Sequence, residues 1–292
     1  MGIFHFYWKD DNLPKANCPL LLGNFDGVHK GHQALISAAL EKGEGAVLLL
    51  HPPFYKDKTE GVLTTLEDKI RLFQNYGIKT IYVLKTDEEF FSLSKEDFVR
   101  KILKKMQPSL LVVGEDYSFG SQGKGKVCDL KRFYSTLSIP LSKINGQKIG
   151  TRLIKSLLLS GCLQEATNLL GRPYEIKGMV KRGFQNGRKI SFPTANLEQL
   201  PYFLPKKGVY CGLSYLRGIC YKAIINVGDA PTVGKLKENI VEVYLDGFEG
   251  DCYGETLYVD FMSFIREEAH FASLEDLKNQ LQKDLEEMRK KL

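Results

Sequence analysis

The stretch that decides the fold of this chain is residues 21–33, Leu-Leu-Gly-Asn-Phe-Asp-Gly-Val-His-Lys-Gly-His-Gln. The short apolar run 20–22 predicts a buried strand, the turn residues after it end that strand, and a helical period starts near Gly31. In an open α/β sheet, such a strand-to-helix turn faces the crevice at the carboxyl ends of the strands. We therefore expect a ligand site at this turn.

Two histidines, His29 and His32, lie at the predicted turn. Backbone N–H groups and the helix dipole attract phosphate at such a helix start, and imidazoles there can contact a triphosphate. Gly27 and Gly31 suit a backbone that approaches a ligand closely, because neither carries a Cβ. The pattern favours a phosphate site, and the alternative for each histidine alone is an ordinary surface or core residue.

Outward from this turn, the first half of the chain alternates strand and helix patterns, which is typical of a parallel sheet. Asp116 follows the last of the predicted strands and is expected to return to the crevice that His29 faces, since carboxyl ends of parallel strands share one edge. The alternative is an ordinary turn aspartate. The predicted strands are 20–22, 45–50, 80–84 and 110–113, and the predicted helices start near Gly31, span 66–76 and span 98–105 with Ser94 as N-cap.

In the second half the pattern changes to short strands, which suggests a small antiparallel barrel. Residues 152–170 read as one Leu-rich helix that ends at Gly171, and the domain boundary is placed there, giving domains 1–170 and 171–292. A last helix starts after Ser273, and its apolar stripe is expected to serve packing; the alternative is a site for a partner. The predicted strands are 176–180, 208–215, 221–227, 241–245 and 256–264.

Composition limits the class of protein. The chain has 292 residues, 43% hydrophobic and 26% charged, which is typical of a globular protein with room for two domains. No apolar run approaches the ~20 residues of a membrane span and the start lacks a signal-peptide pattern, so we expect a cytoplasmic protein with no membrane partner. Six cysteines without metal-site spacing predict reduced thiols. The net charge of +6 suits polyanionic ligands, either nucleic acid or nucleoside polyphosphates.

Candidate chemistry in the second half centres on Thr194 and Asn196, two residues apart in Phe-Pro-Thr-Ala-Asn. In an extended chain their side chains point to one side and can jointly hold Mg²⁺ and phosphate oxygens. The alternative is a proline turn with two hydrogen-bonding residues. Glu242, in an otherwise apolar strand, either faces solvent or serves as a general base. The basic, glycine-rich loop upstream supplies the candidate phosphate-binding residues Gly183, Gly187 and Arg188.

These motifs resemble those of the bacterial bifunctional riboflavin kinase/FMN adenylyltransferase (FAD synthetase) family. Residues 23–32 match its Gly-Asn-Phe-Asp-Gly-Val-His-x-Gly-His signature, and residues 183–196 are similar to its Gly-x-x-x-Gly-Arg-x-x-x-Phe-Pro-Thr-Ala-Asn frame. The resemblance covers roughly residues 20–290. It implies an N-terminal doubly wound parallel-sheet nucleotidyltransferase (Rossmann-like) domain and a C-terminal small antiparallel β-barrel riboflavin kinase domain with a terminal helix. Further family-like segments are 63–69, 114–120, 208–210, 226–232, 251–254 and 264–266.

The resemblance also implies a function: phosphorylation of riboflavin to FMN with ATP, then adenylylation of FMN to FAD with release of pyrophosphate. In relatives, the residues matching Thr194 and Asn196 bind Mg-ATP and the one matching Glu242 removes the proton of the ribityl hydroxyl, while His29 and His32 are expected to stabilise charge on phosphates. The residues expected to bind ATP or its phosphates are Gly23, Asn24, Phe25, Asp26, Gly27, Gly31, Asp116, Arg152, Lys155, Gly183, Gly187, Arg188, Thr194 and Asn196.

The match has departures that keep two alternatives open. Residues 150–155, Gly-Thr-Arg-Leu-Ile-Lys, stand where relatives have Ser-Ser-Thr-x-Ile-Arg, and Ser118 replaces an arginine. One alternative is therefore a single-activity enzyme with one decayed site, and the other is a non-catalytic flavin- or nucleotide-binding regulator. The expected partners are riboflavin, FMN and ATP, with Mg²⁺ as cofactor and without nucleic acid. The sequence leaves the oligomeric state open.

Overall fold

A computed structural model describes residues 2–52, 61–144, 146–181, 192–198, 200–229 and 239–292. The chain divides into two compact units, Met1–Thr151 and Arg152–Leu292. Among the described residues, no helix combines the length and the apolar character that a membrane span requires.

The first unit is built on a six-stranded sheet in the order β1-β4-β3-β2-β5-β8, in which every pair of neighbours is parallel. The strand order reverses at β2, which has β3 on one side and β5 on the other, so β2 and β5 flank the topological switch point. The sheet strands are β1 (Gly2–Tyr7), β2 (Pro19–Leu22), β3 (Ala46–His51), β4 (Thr80–Lys85), β5 (Leu110–Gly114) and β8 (Thr136–Ile139).

Helices and short hairpins complete this unit. The expected helix near residues 98–105 begins earlier, at Lys95, and contains a π turn; the Ser94 hydroxyl caps it by accepting from the Asp97 amide at 3.0 Å, as predicted. The helices are α1 (Lys30–Leu40), α2 (Leu66–Asn75), α3 (Glu88–Phe91), α4 (Lys95–Phe98, π turn Val99–Leu103, Lys104–Met106) and α5 (Val127–Leu130), and the short strands are β6 (Ser118–Phe119), β7 (Gly125–Lys126), β9 (Lys143–Ile144) and β10 (Gln147–Lys148).

Apolar cores cover both faces of the parallel sheet. All four residues of β2 are buried, and alternation sends Leu20 and Leu22 to one face and Leu21 to the other. This explains the continuous apolar run in the sequence, because a parallel strand is buried on both sides. The arrangement confirms the predicted doubly wound domain.

The second unit begins with two helices, α6 (Thr151–Leu159, whose first residue belongs to the first unit) and α7 (Leu163–Leu170). The single helix expected over residues 152–170 is wrong. Gly161 has a φ of +74°, the left-handed conformation that ends a helix, and its amide donates to the carbonyl of Leu158 at 3.1 Å. Gly171 ends α7 in the same conformation, with a φ of +75°.

The rest of this unit is a closed antiparallel barrel in the order β11-β12-β15-β14-β13-β16, which confirms the predicted barrel. One strand of the barrel, β12, starts at Thr194, contains the Thr-Ala-Asn residues 194–196 and was not predicted as a strand. The barrel strands are β11 (Tyr174–Lys181), β12 (Thr194–Leu197), β13 (Gly208–Leu216), β14 (Ile219–Asp229), β15 (Asn239–Leu245) and β16 (Thr256–Arg266), and the terminal helix is α8 (Leu274–Lys291).

Helix α8 starts after its N-cap Ser273 and packs its apolar stripe on the barrel, as predicted. An ion pair with a buried carboxylate fixes it further: the guanidinium of Arg266 donates to both carboxylate oxygens of Asp284 at 2.8–3.1 Å. Gln280 donates to the same carboxylate at 2.9 Å. The Asp284 side chain is only 1% exposed, so these hydrogen bonds replace the water that its carboxylate oxygens lose on folding.

We expect Asp284→Ala to lower the free energy of unfolding of the barrel by about 1.5–3 kcal/mol, because Arg266 and Gln280 lose their hydrogen bonds to a charged acceptor while the guanidinium, 21% exposed, is partly rehydrated. Urea unfolding followed by circular dichroism measures this change. The control is Glu287→Ala on the same helix, which removes a surface pair with Lys291 at 2.7 Å and should cost less than about 1 kcal/mol. Equal shifts of the two midpoints would contradict the assigned role of Asp284.

Candidate active sites

The first candidate site is the turn between β2 and α1, at the switch point of the parallel sheet. His29 is the N-cap of α1 and is buried. The rings of His29 and His32 are stacked, with 3.7 Å between centroids and 18° between planes. The predicted strand-to-helix placement of both histidines is confirmed, and the two imidazoles form one surface where ligands bind in open α/β sheets.

The backbone of this turn is unusual, because two residues other than glycine adopt the left-handed conformation. Phe25 has a φ of +52° and Val28 a φ of +40°, on either side of Gly27 at +82°. A β-branched residue rarely adopts this conformation, and such strain persists only where packing enforces it. The Phe25 ring packs edge-on against His32 and against Phe73, with centroids 5.2 and 5.0 Å away. Packing therefore fixes the loop and, with it, the histidine pair.

The family-like segment 63–69 is hydrogen-bonded to the same loop. The Asp26 carboxylate accepts from the backbone amides of Leu63 and Thr64, both at 3.0 Å, and the Thr64 hydroxyl accepts from the amide of Gly27 at 2.8 Å. The ammonium of Lys69, which is buried, donates to the carbonyl of Asn24 at 2.8 Å. Asp26 was predicted to bind phosphate. In the structure, one of its carboxylate oxygens binds backbone amides of the protein itself. Thr64 and Lys69 were not predicted, and the resemblance of this segment was the available signal.

Electrostatics around the pair favour a neutral His32. Its pKa lies well below the ordinary value because the ring is desolvated and because His29, Lys69 and Lys148 place positive charge nearby. Burial also lowers the pKa of Lys69, although Asp26 and Asp68 oppose that shift. Within the described part of the chain, His32 Nδ1 is buried without a hydrogen-bond partner. A neutral imidazole in this place can donate one N–H to an anionic ligand.

Three other predicted residues lie on elements outside the turn between β2 and α1. Asp116 follows β5, at the same edge of the sheet as His29, and its carboxylate forms an ion pair with Lys148 of β10. Arg152 and Lys155 lie on α6 and belong to the second unit, where Lys155 Nζ stands 4.7 Å from the centroid of the Phe203 ring. Gly23, also predicted to bind phosphate, packs closely against Phe25: a Cβ at this position would lie 3.0 Å from the Phe25 ring.

The second candidate site is a row of polar side chains across three strands of the barrel. Glu242 on β15 is the register partner of Asn196 on β12 and of Asn226 on β14. Directly opposite residues share a face of a sheet, so Glu242 lies between the two asparagines. Its neighbours Val241 and Val243 are fully buried on the opposite face. Asn226 was not predicted as a site residue, because the row depends on strand pairing.

Burial raises the pKa of Glu242; a hydrogen bond from Asn226 acts against this shift and the charge of Glu268 adds to it. Thr194 lies on the same strand as Asn196, two residues away, and both are extended as the Mg²⁺ hypothesis requires. The Asn196 side-chain nitrogen donates to the Thr194 carbonyl at 3.4 Å. The side-chain oxygen of Asn196 can therefore coordinate a metal ion. Thr194 also lines a small pocket together with Phe248 and Tyr253. The predicted residues Gly183, Gly187 and Arg188 lie outside the described residues.

Hydroxyl and amide oxygens are hard donors, and Mg²⁺ prefers one or two protein oxygens together with substrate phosphates. The donor set of Thr194 and Asn196 therefore fits Mg²⁺ bound with ATP. A histidine pair at the switch point of one unit and a half-buried carboxylate beside such oxygens in the other define a two-domain transferase that uses nucleotides.

Comparison with known proteins gives the family. Residues 12–157 match the FAD synthetase family model and residues 170–292 match the riboflavin kinase family model. The bifunctional riboflavin kinase/FMN adenylyltransferase of Buchnera aphidicola subsp. Schizaphis graminum is 35% identical, over 96% of each chain. The enzyme of the same name from Bacillus subtilis (strain 168) is 33% identical, over 94% of this chain and 92% of its own. This chain therefore belongs to the bifunctional riboflavin kinase/FMN adenylyltransferase family, as the sequence motifs indicate.

A solved structure has the same fold along nearly the whole length. A crystal structure from Streptococcus pneumoniae, titled a macrolide-efflux protein, superposes with a TM-score of 0.87 at 30% identity and covers 98% of each chain. The two-domain architecture described above is thus found in a chain solved by experiment.

Proposed function

We propose that the barrel phosphorylates riboflavin to FMN and that the α/β unit adenylylates FMN to FAD, each step using one ATP. The observation that carries this proposal is that each unit has its own reactive groups: the stacked His29 and His32 at the switch point, and Glu242 between two asparagines. Family membership supports the pairing of the two activities on one chain.

In the kinase step, Glu242 acts as general base toward the 5′-hydroxyl of the riboflavin ribityl chain. The hydroxyl oxygen attacks the γ-phosphorus of ATP, the bond from that phosphorus to the bridging oxygen breaks, and ADP leaves. The raised pKa of Glu242 brings its basicity closer to the operating pH, which favours proton transfer. Thr194 and Asn196 would hold Mg²⁺ with the nucleotide, and the ion supplies neutralisation of phosphate charge when bound.

In the adenylyl step, a phosphate oxygen of FMN attacks the α-phosphorus of a second ATP and pyrophosphate leaves. The neutral His32 donates a hydrogen bond to phosphate oxygens, and His29 at the start of α1 adds a second imidazole beside the positive end of the helix dipole. No covalent intermediate with the protein is required. Positioning and preorganised donors supply the acceleration in such transfers.

The direct test uses purified, flavin-free protein with ATP and Mg²⁺, and separates flavins by chromatography. Riboflavin as substrate should give FMN and then FAD, and FMN as substrate should give FAD. A reaction that stops at FMN would mean that the departures in residues 150–155 have disabled the adenylyl site. FAD from FMN alone would mean a decayed kinase, and no product from either flavin would favour a regulator.

The geometry of the histidine pair gives a first prediction for activity. A Cβ on Gly31 would lie 3.2 Å from the His29 imidazole, so Gly31→Ala shifts that ring by a few tenths of an ångström. We expect FAD formation from FMN to fall by about tenfold or more, because small misplacements of a catalytic group are costly, while FMN formation is unchanged. Initial rates of both steps check this. Ser37→Ala, at an exposed position of the same helix, is the control for helix propensity and should not alter either rate. Unchanged FAD formation in Gly31→Ala would contradict a catalytic placement of His29.

A further inference from the structure

We propose that Lys148 binds the phosphates of ATP at the adenylyl site and that Asp116 is a positioning residue that holds its ammonium there. This inference rests on the proposed function of the α/β unit. Neither the hydrophobic pattern nor the motif match identified Lys148, which becomes visible only from its contacts in the folded chain.

The segment that carries Lys148 is joined to the histidine loop. Lys148 ends β10, and three residues later the Thr151 hydroxyl donates to the carbonyl of Asp26 at 3.1 Å. Between them, the carbonyl oxygen of Ile149 lies 3.9 Å from the position that a Cβ on Gly31 would occupy. The backbone from Lys148 to Thr151 therefore runs along the loop that presents His29 and His32.

The charge of Lys148 reaches the histidine pair. Its positive charge is one of the causes that lower the pKa of His32, together with His29 and Lys69. Its ammonium forms an ion pair with Asp116, which follows β5 on the other side of the switch point from β2. Lys148 thus places a cation at the edge of the sheet where the predicted phosphate site lies.

The ion pair of Asp116 with Lys148 explains why an aspartate lies at a phosphate site. A carboxylate repels phosphate oxygens, so Asp116 is suited to hold the ammonium of Lys148 and unsuited to contact the ATP phosphates itself. A lysine ammonium between the two anions has three donors and can keep the carboxylate while it binds phosphate. Asp116 therefore acts through Lys148.

The pair is also accessible to a ligand. The side chains of Lys148 and Asp116 are 48% and 49% exposed. An ion pair of this exposure contributes little to stability. Its substitution therefore leaves a folded enzyme in which the effect on catalysis can be measured.

The test is the kinetics of FAD formation from FMN at varied ATP. We expect Lys148→Met to raise the KM for ATP or lower kcat/KM by about tenfold or more, because a charge-assisted hydrogen bond to phosphate is lost. Lys148→Arg should retain most of the activity, since it keeps the charge. FMN formation from riboflavin should be unchanged in both. Lys42→Met removes an exposed lysine beyond the opposite end of α1 and should have no effect.

Asp116 is tested through its coupling to Lys148. Asp116→Asn should impair FAD formation less than Lys148→Met, and the double variant should be no worse than Lys148→Met alone, because both changes act on one ammonium. Lys148→Met within about twofold of the wild type, equal loss in Lys148→Arg, or an additive double variant would each overturn the inference. A wild-type chain that makes no FAD would instead refute the proposed function, so the two failures are distinguishable.

Discussion

His32→Ala is expected to lower FAD formation from FMN by about 100-fold or more while FMN formation from riboflavin continues at the wild-type rate. The neutral ring of His32 is a preorganised donor held by Phe25, and its loss removes stabilisation of charge that develops on the phosphates. His32 belongs to the first unit, whereas Thr194, Asn196 and Glu242, proposed for the kinase step, belong to the second. Initial rates of each step, measured separately with riboflavin or FMN as the starting flavin, check this prediction.

The control for His32 is His5→Ala, which removes an exposed imidazole from β1 of the same unit and should change neither rate. Thermal unfolding of His32→Ala shows whether the variant remains folded. If it does not, His32→Asn, which keeps a polar side chain at this position, replaces it in the rate measurements. Equal loss of FMN and FAD formation in a folded His32 variant would refute the assignment of separate sites.

Glu242→Gln is expected to lower FMN formation by about 10²–10⁴-fold while FAD formation from supplied FMN is retained. Glutamine keeps the size of the side chain and a hydrogen-bonding group between Asn196 and Asn226, but it cannot accept the proton of the ribityl hydroxyl. The matched control is Glu275→Gln on the exposed side of α8, which should leave both rates unchanged. A Glu242→Gln variant with normal FMN formation would exclude the general base.

The pH dependence of the kinase step tests the same role. The base must be ionised, so kcat/KM for riboflavin should fall as the pH is lowered through the pKa of Glu242. Because burial raises that pKa above its ordinary value of 4.5, the decline should begin at a higher pH than for an exposed glutamate. The residual activity of Glu242→Gln should lack this acid limb, and an unchanged profile would contradict the assignment.

The architecture was predictable from the sequence because its signals are local. Apolar runs alternate with helical periods in the first unit, and short apolar strands follow in the second. The strand-to-helix turn with His29 and His32 was predictable because its signals are also local. The break at Gly161 was not, because a single glycine is tolerated within a helical pattern and only its left-handed φ ends the helix.

The surroundings of the sites could not be predicted, because they depend on contacts between distant segments. Lys69 lies on an amphipathic helix, where a lysine is expected to face solvent, yet its ammonium is buried against the Asn24 carbonyl. Asn226 joins Glu242 only through the pairing of β14 with β15. The pairing of Asp116 with Lys148 likewise brings together residues from separate elements.

The presence of both activities on this chain is tested most directly by following the phosphorus atoms of ATP into the flavin products. The wild-type chain is given unlabelled riboflavin and Mg²⁺ with ATP labelled at either the γ- or the α-phosphorus, and the flavins are separated and counted. We predict γ-label in both FMN and FAD, since FMN carries its phosphate into FAD, and α-label in FAD alone. Absence of γ-label from every flavin would contradict the kinase in the barrel, and absence of α-label from FAD would contradict adenylyl transfer in the α/β unit.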